Sequence, residues 1–189
     1  MTNTFEILAT AFGLVQGVLA MLNKRVNWVV YVIQLVFLIL FSYESHLYGD
    51  MWQSVVMIGI CAYAFVTWGK PESKVTTLSS YHRIDLVGIT AFAWVVVAMI
   101  LQKTNDPLPG FDSFTTVTTF VALGLMAERK LEAWVVWFVN DVVYIVEYAM
   151  LPDQALYLLG LYVIWTAMAV LTFYTWHKDY KKGLINETN

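Results

Sequence analysis

The sequence predicts an all-α integral membrane protein of seven transmembrane helices. Three observations carry that reading. Of 189 residues, 59% are hydrophobic and only 13% charged, against about 25% charged in an ordinary soluble domain. The apolar residues are gathered into windows long enough for a helix to cross about 30 Å of hydrocarbon. Seven such windows also place ten of the eleven Lys and Arg residues on one face of the membrane.

The windows lie near residues 5–22, 26–43, 51–68, 84–102, 112–127, 131–151 and 154–176. The first has no basic stretch before it and no small-residue cleavage site after it, so it reads as a mature helix and not a signal peptide. The second follows the polar turn at Lys24-Arg25, and the third ends at Trp68, before the longest loop. That loop runs from Gly69 to Arg83, opens with Lys70-Pro71 and holds a Ser/Thr cluster. The fourth window is separated from the fifth by Asp106-Pro107 and Pro109-Gly110, which break a helix. The fifth starts with Thr115, Thr116, Thr118 and Thr119, tolerated because a Thr hydroxyl can bond back to the preceding turn. The sixth follows Arg129-Lys130, and the seventh runs to Trp176 and a basic tail.

Lys24, Arg25, Lys70, Lys74, Arg83, Arg129, Lys130, Lys178, Lys181 and Lys182 share one side, and Lys103 lies opposite. Cytoplasmic loops retain positive charge during insertion, so the pattern predicts an outside N-terminus and a cytoplasmic C-terminus. A net charge of −3 offers no basic surface for nucleic acid. The lone Cys61 forms neither an internal disulfide nor a Cys-based zinc site. His46, His82 and His177 lack the short spacing of a zinc helix, and no serine stands in a nucleophile elbow. No enzyme, metal centre or cofactor is expected.

Self-comparison divides the chain. Asn23 to Gln34 matches Arg129 to Asn140 at an offset of 106, pairing Trp28 with Trp134, Tyr31 with Trp137 and Gln34 with Asn140. Trp68-Gly69-Lys70 answers Trp176-His177-Lys178 at an offset of 108. The expected organisation is a first three-helix bundle over 1–70, a loop and linker helix over 71–110, a second bundle over 111–178 and a cytoplasmic tail over 179–189. Three spans reverse direction, so a single linker helix makes the two repeats parallel, with a ligand site between them near mid-depth.

The sixth span carries Trp134, Trp137, Asn140, Asp141, Tyr144 and Glu147 at steps near three and four, so most share a broad face. Asp141 and Glu147 are the acids well inside a predicted span, where exposure to lipid costs about 2.5–3.5 kcal/mol. They are candidates to bind a cation or carry a proton; a hydrogen bond to a neighbouring helix for Asp141, or wetting at the outer end for Glu147, are the competing readings. Gln34 and Asn140 can each read a heterocycle or a sugar hydroxyl, or serve as interhelical glue. Trp137 and Tyr144 can sandwich a flat ring and favour positive charge. Tyr162 and Trp165 on the seventh span join them, with packing as the alternative. No Lys or Arg is expected at membrane depth, so the ligand is neutral or cationic.

Around Trp134-Val135-Val136-Trp137, Asn140 and the helix ending in Trp176-His177-Lys178, the chain resembles the PnuC-type vitamin transporter family. The resemblance covers nearly the whole length. It implies a three-plus-one-plus-three arrangement similar to that of SWEET sugar facilitators, in the bacterial cytoplasmic (inner) membrane. It also implies facilitated diffusion of an unphosphorylated cationic vitamin that a cytoplasmic kinase then traps, and assembly into homotrimers. Trp134 and Trp137 match the family's paired tryptophans, and Gln34 and Asn140 its substrate-contacting amides. The short N-terminal lead and compact loops look more like the thiamine branch than the nicotinamide riboside branch, so thiamine is the first expectation. A proton-coupled carrier and a non-transporting receptor subunit are the other expectations.

Overall fold

The computed structural model describes residues 4–22, 24–68, 74–151 and 155–188, and Asn23, Gly69, Lys70 and Pro71 lie outside them. Among the described residues are α1 (Thr4–Met21), α2 (Asn27–Glu44), α3 (Tyr48–Thr67), α4 (Ser80–Leu101), α5 (Pro109–Ala127), α6 (Ala133–Met150) and α7 (Leu156–Thr188). All seven are long and apolar enough to cross a membrane. Six predicted windows fall within a few residues of these bounds. The seventh differs, because α7 continues through Lys178, Lys181 and Lys182 to Thr188, with no proline to stop it. Residues 179–188 therefore extend a helix beyond the apolar window.

Helix starts follow local chemistry. Ser79 caps α4 by accepting from the His82 amide at 3.3 Å, and Pro109, whose missing N–H costs nothing there, opens α5. The threonines of α5 turn back as expected: Thr115 Oγ1 lies 3.0 Å from the Phe111 carbonyl and Thr118 Oγ1 2.7 Å from that of Phe114, each hydroxyl sharing its one hydrogen with an acceptor on α6. With two-thirds of its residues buried, α5 is the most enclosed helix.

The helices close into a ring. Contacts run α1–α2–α3–α5–α6–α7 and back to α1, while α4 packs substantially on α5 alone. Exchanging α1, α2 and α3 for α5, α6 and α7 maps the ring contacts onto themselves. Outside the ring, α4 buries only 6% of its span and presents Tyr81, Ile84, Val87 and Phe92 outward, as suits hydrocarbon surroundings.

The same exchange governs how two helices begin. Glu6 on α1 accepts from the Tyr157 and Leu158 amides at 2.7 and 3.3 Å, capping α7. Asp112, 106 positions later on α5, accepts from the Gly49 amide at 2.9 Å, capping α3. Each acid satisfies helix-end donors that no intrahelical carbonyl can reach. A Cβ at Gly49 would lie 2.5 Å from the Asp112 carboxylate, so only glycine admits this approach. Glu6→Ala is expected to lower stability by about 1–2 kcal/mol, read by thermal unfolding of the purified protein. Glu6→Gln, which keeps an acceptor, loses less, and equal losses in both would rule out the capping role.

At the opposite end the α3–α4 loop is pinned to the α5–α6 turn. The Thr76 amide donates to the Arg129 carbonyl at 3.0 Å and the Leu131 amide to the Thr76 carbonyl at 2.9 Å. Glu132 accepts from the Leu78 amide at 3.0 Å and pairs with Arg83 at 2.7 Å.

Candidate functional site

A cavity opens between α1, α2, α5, α6 and α7, in the half of the bundle nearer the basic loops. Its open volume is about 450 Å³, counting the part continuous with the exterior. Trp134, Trp137 and Asp141 reach it from successive turns of α6, as their spacing of three and four requires. Tyr31 on α2 and Trp165 on α7 face them. Tyr31 and Trp137 are equivalent under the 106-residue offset, and so are Ala20 and Met126, so repeat-related positions meet at this cavity.

The walls are aromatic and the one charged lining group is Asp141. It is 2% exposed, and its Oδ1 has no hydrogen-bond partner. The buried indole N–H of Trp134 is also without an acceptor. Trp165 is held by α1, its Nε1 donating to the Gly13 carbonyl at 3.3 Å. A carboxyl that ionises inside a box of electron-rich faces attracts a cation by charge and by ring quadrupole together.

A second ring cluster lies beside Trp134. Trp134 meets Trp176 edge-on at 5.2 Å, Trp176 meets Trp68 at 5.9 Å, and Trp68 meets Trp28 at 5.2 Å. These are the two tryptophan pairs of the repeat, brought into one contact chain. The Arg129 guanidinium stacks over Trp68 and Trp176 at 5.2 and 5.9 Å from the ring centroids. Burial pulls its pKa below the ordinary arginine value, and nearby Asp179 opposes that shift.

Four of the nine residues singled out on sequence, Trp134, Trp137, Asp141 and Trp165, line the cavity. The other five stand elsewhere. Asn140 is consumed by α5: its Oδ1 accepts from Thr118 at 2.6 Å and its Nδ2 donates to Thr119 at 3.0 Å, the arrangement of an interhelical tie. Its repeat partner Gln34 is 0% exposed with both amide atoms unpaired. The difference is traceable to α1, where Phe12 and Gly13 occupy the positions equivalent to Thr118 and Thr119. Gln34 therefore keeps a free donor and acceptor beside Gly13 and Trp165.

Tyr144 and Glu147 belong to the opposite end. Tyr144 stacks on Tyr162 at 4.3 Å and donates to Asp50 Oδ1 at 2.9 Å. Tyr148 donates to Asp50 Oδ2 at 3.1 Å. Glu147, expected to be wet if it had no role, is fully buried and accepts from Thr115 at 3.1 Å. Tyr162 touches Trp165 edge-on at 5.2 Å, so the tyrosine stack separates this acidic end from the cavity.

Sequence reasoning missed Asp50 and Asp112, because its third and fifth windows began one residue after Asp50 and on Asp112 itself. The repeat offset linking Asp112 to Glu6 was the available signal. It also missed Tyr31 as a lining residue, although the repeat pairs it with Trp137.

The nicotinamide mononucleotide transporter family model matches residues 3–178. The nicotinamide riboside transporter PnuC of Neisseria mucosa is 26% identical over 157 residues, covering 75% of this chain and 59% of that protein. The chain thus spans about 59% of the length of that curated relative. Among solved structures, the crystal structure of the vitamin B3 transporter PnuC superposes with a TM-score of 0.83, over 94% of this chain and 82% of the other at 24% identity, which establishes the shared fold. With seven apolar helices in that fold, the chain is a multi-pass membrane protein.

Proposed function

Because the chain belongs to the nicotinamide mononucleotide transporter family, we propose that it carries nicotinamide riboside across the bacterial cytoplasmic membrane by facilitated diffusion. A cytoplasmic kinase then traps the product. The observation that carries this reading is Asp141, a buried, unpaired carboxylate oxygen among Tyr31, Trp134, Trp137 and Trp165. Nicotinamide riboside joins a flat ring to a permanent positive charge, and both features match that box.

The lining contains no Lys or Arg. A phosphate entering it would meet Asp141 and no compensating cation, which favours the unphosphorylated riboside over the mononucleotide. Gln34 stands outside the lining, fully buried with an unpaired amide beside Trp165, and bears on the ligand through that ring, while Asn140 positions α6 against α5. The two helix triplets act as parallel halves around the cavity, supported by the exchange of ring contacts and of the Glu6 and Asp112 caps. The charge asymmetry of the loops supports an outside N-terminus.

Thiamine, the first expectation from loop length, finds no support in the names of these relatives and becomes the second reading. It shares the flat ring and fixed charge, and loop length does not reach the cavity lining.

Thermal unfolding of the purified protein with added ligand separates the readings. Nicotinamide riboside is expected to give the largest rise in Tm, since a ligand at 100 times its Kd stabilises by about 2.7 kcal/mol. The mononucleotide should give little. Stabilisation by thiamine alone, or equally by the mononucleotide, would overturn the assignment.

A further inference from the structure

At the end of the bundle away from the cavity, Asp50, Asp112 and Glu147 present carboxylate oxygens that all lie within 4.8 Å of one another. They come from the first turns of α3 and α5 and the last turn of α6, and all three are buried. No ion pair to any of them occurs among the described residues. Their donors leave a shortfall. Asp50 accepts from Tyr144 and Tyr148, Asp112 from Gly49 and Thr116, and Glu147 Oε2 from Thr115, while Asp50 and Asp106 each also share a hydrogen bond with Asp112. Glu147 Oε1, on a side chain with 0% exposure, accepts from nothing.

A second oxygen is stranded beside them. Gln53, one turn along α3 from Asp50, gives its Nε2 to the same Tyr144 hydroxyl that serves Asp50, at 3.0 Å. Its buried Oε1 has no partner. Two buried acceptors without donors, beside three carboxyl groups without a cationic side chain, call for protons or a cation from outside the chain.

We propose that Asp50, Asp112 and Glu147 form a binding site for a hard divalent cation of about the size of calcium. Every charged donor is oxygen, which excludes soft-metal chemistry. Oxygens within 4.8 Å of one another can be spanned by one ion. Magnesium dehydrates reluctantly and keeps several waters, whereas calcium takes carboxylate and amide oxygens directly, as a fully buried set requires. Asp50 lies in the first helix triplet, and Asp112 and Glu147 lie in the second. The ion therefore bridges the two halves at this end, about 9 Å of helix rise from Asp141. This site is separate from the ligand cavity and does not rest on the transport reading.

Terbium tests it on the full chain purified in detergent, because Tyr144 and Tyr148 bond directly to Asp50 and would sensitise terbium emission. The expected result is saturable emission on aromatic excitation, displaced by calcium and weakened at least about tenfold in affinity by Glu147→Gln. Asp141→Asn should leave it unchanged. Calcium should also raise the Tm of the unmodified protein above its value in chelator, a reading that holds even if Glu147→Gln fails to fold. Equal Tm in calcium and chelator, or terbium emission that calcium does not displace, would overturn the proposal and show that protons alone balance the cluster. Either failure leaves the ligand-stabilisation experiment at the cavity unaffected.

Discussion

Asp141→Asn is expected to weaken binding of nicotinamide riboside by about 100-fold while leaving the stability of the empty protein nearly unchanged. Truncating the charge opposite a buried cationic group costs about 2–5 kcal/mol of binding, and 2.7 kcal/mol is a factor of about 100. The side chain is 2% exposed and its Oδ1 has no donor. An isosteric amide keeps the size and polarity of the buried carboxyl, so Tm in the absence of ligand should change little. Calorimetry with the riboside and with neutral nicotinamide supplies the control. The two should differ, with nicotinamide affinity changing by less than about threefold, because the aromatic walls that hold a flat ring are untouched. Equal losses for the charged and neutral ligands would show that Asp141 shapes the cavity and does not read charge.

Gly17→Val is expected to lower stability by about 3 kcal/mol and to abolish ligand stabilisation. The sequence Gly13-Leu14-Val15-Gln16-Gly17 puts two glycines on one face of α1, where small residues let helices approach closely in a membrane. A Cβ at Gly17 would sit 2.8 Å from Trp165 Nε1 and 3.2 Å from Met168 Cε. At Gly13 it would meet Leu161 Cδ2 at 2.7 Å and Gln34 Nε2 at 2.9 Å. Overpacking of this kind costs about 1–3 kcal/mol and forces side chains off their rotamers. Trp165 and Met168 both line the cavity, so displacing them fills the space the ligand needs. Gly59→Ala and Gly160→Ala, where a Cβ meets nothing within 4 Å, provide the comparison and should be close to neutral. Thermal unfolding with and without ligand reads all of these. A Gly17→Val variant as stable as Gly59→Ala would mean that α1 and α7 are not in close register.

The two effects act at different levels. Asp141 supplies a buried carboxyl whose ionised form the proposed cationic ligand would answer, whereas Gly17 creates the close approach that seats Trp165 at the cavity. The same division explains the paired amides. In the second triplet Thr118 and Thr119 bind Asn140 and fasten two helices, and in the first triplet Phe12 and Gly13 leave Gln34 unpaired. The repeated residue type is tied between helices in one half and is buried without a partner in the other.

Most of the fold was legible in the sequence because a bilayer enforces a simple rule. Backbone groups in hydrocarbon must bond within their own segment, so an apolar window becomes a helix wherever it is long enough. Hence six windows fell close to the observed helices, and the unusual Thr-rich start of α5 was accounted for by back-bonding. Spacing on α6 likewise put Trp134, Trp137 and Asp141 on one face before any neighbour was known. The offset of 106 already paired Tyr31 with Trp137.

Tertiary structure decided the rest. Whether an amide or an acid is free depends on which hydroxyl or amide donor a neighbouring helix brings to it, and sequence spacing within one helix carries no such information. It was packing that moved Tyr144 and Glu147 to the acidic end, joined them to Asp50 and Asp112, and left Asp141 alone with the rings. The sequence by itself determined seven apolar spans and the two acids on the sixth, but not the burial of Glu6, Asp50, Asp106 and Asp112. Only the closed ring of helices decided which buried groups are satisfied by the protein and which still require a ligand, because that balance is set between helices and not along them.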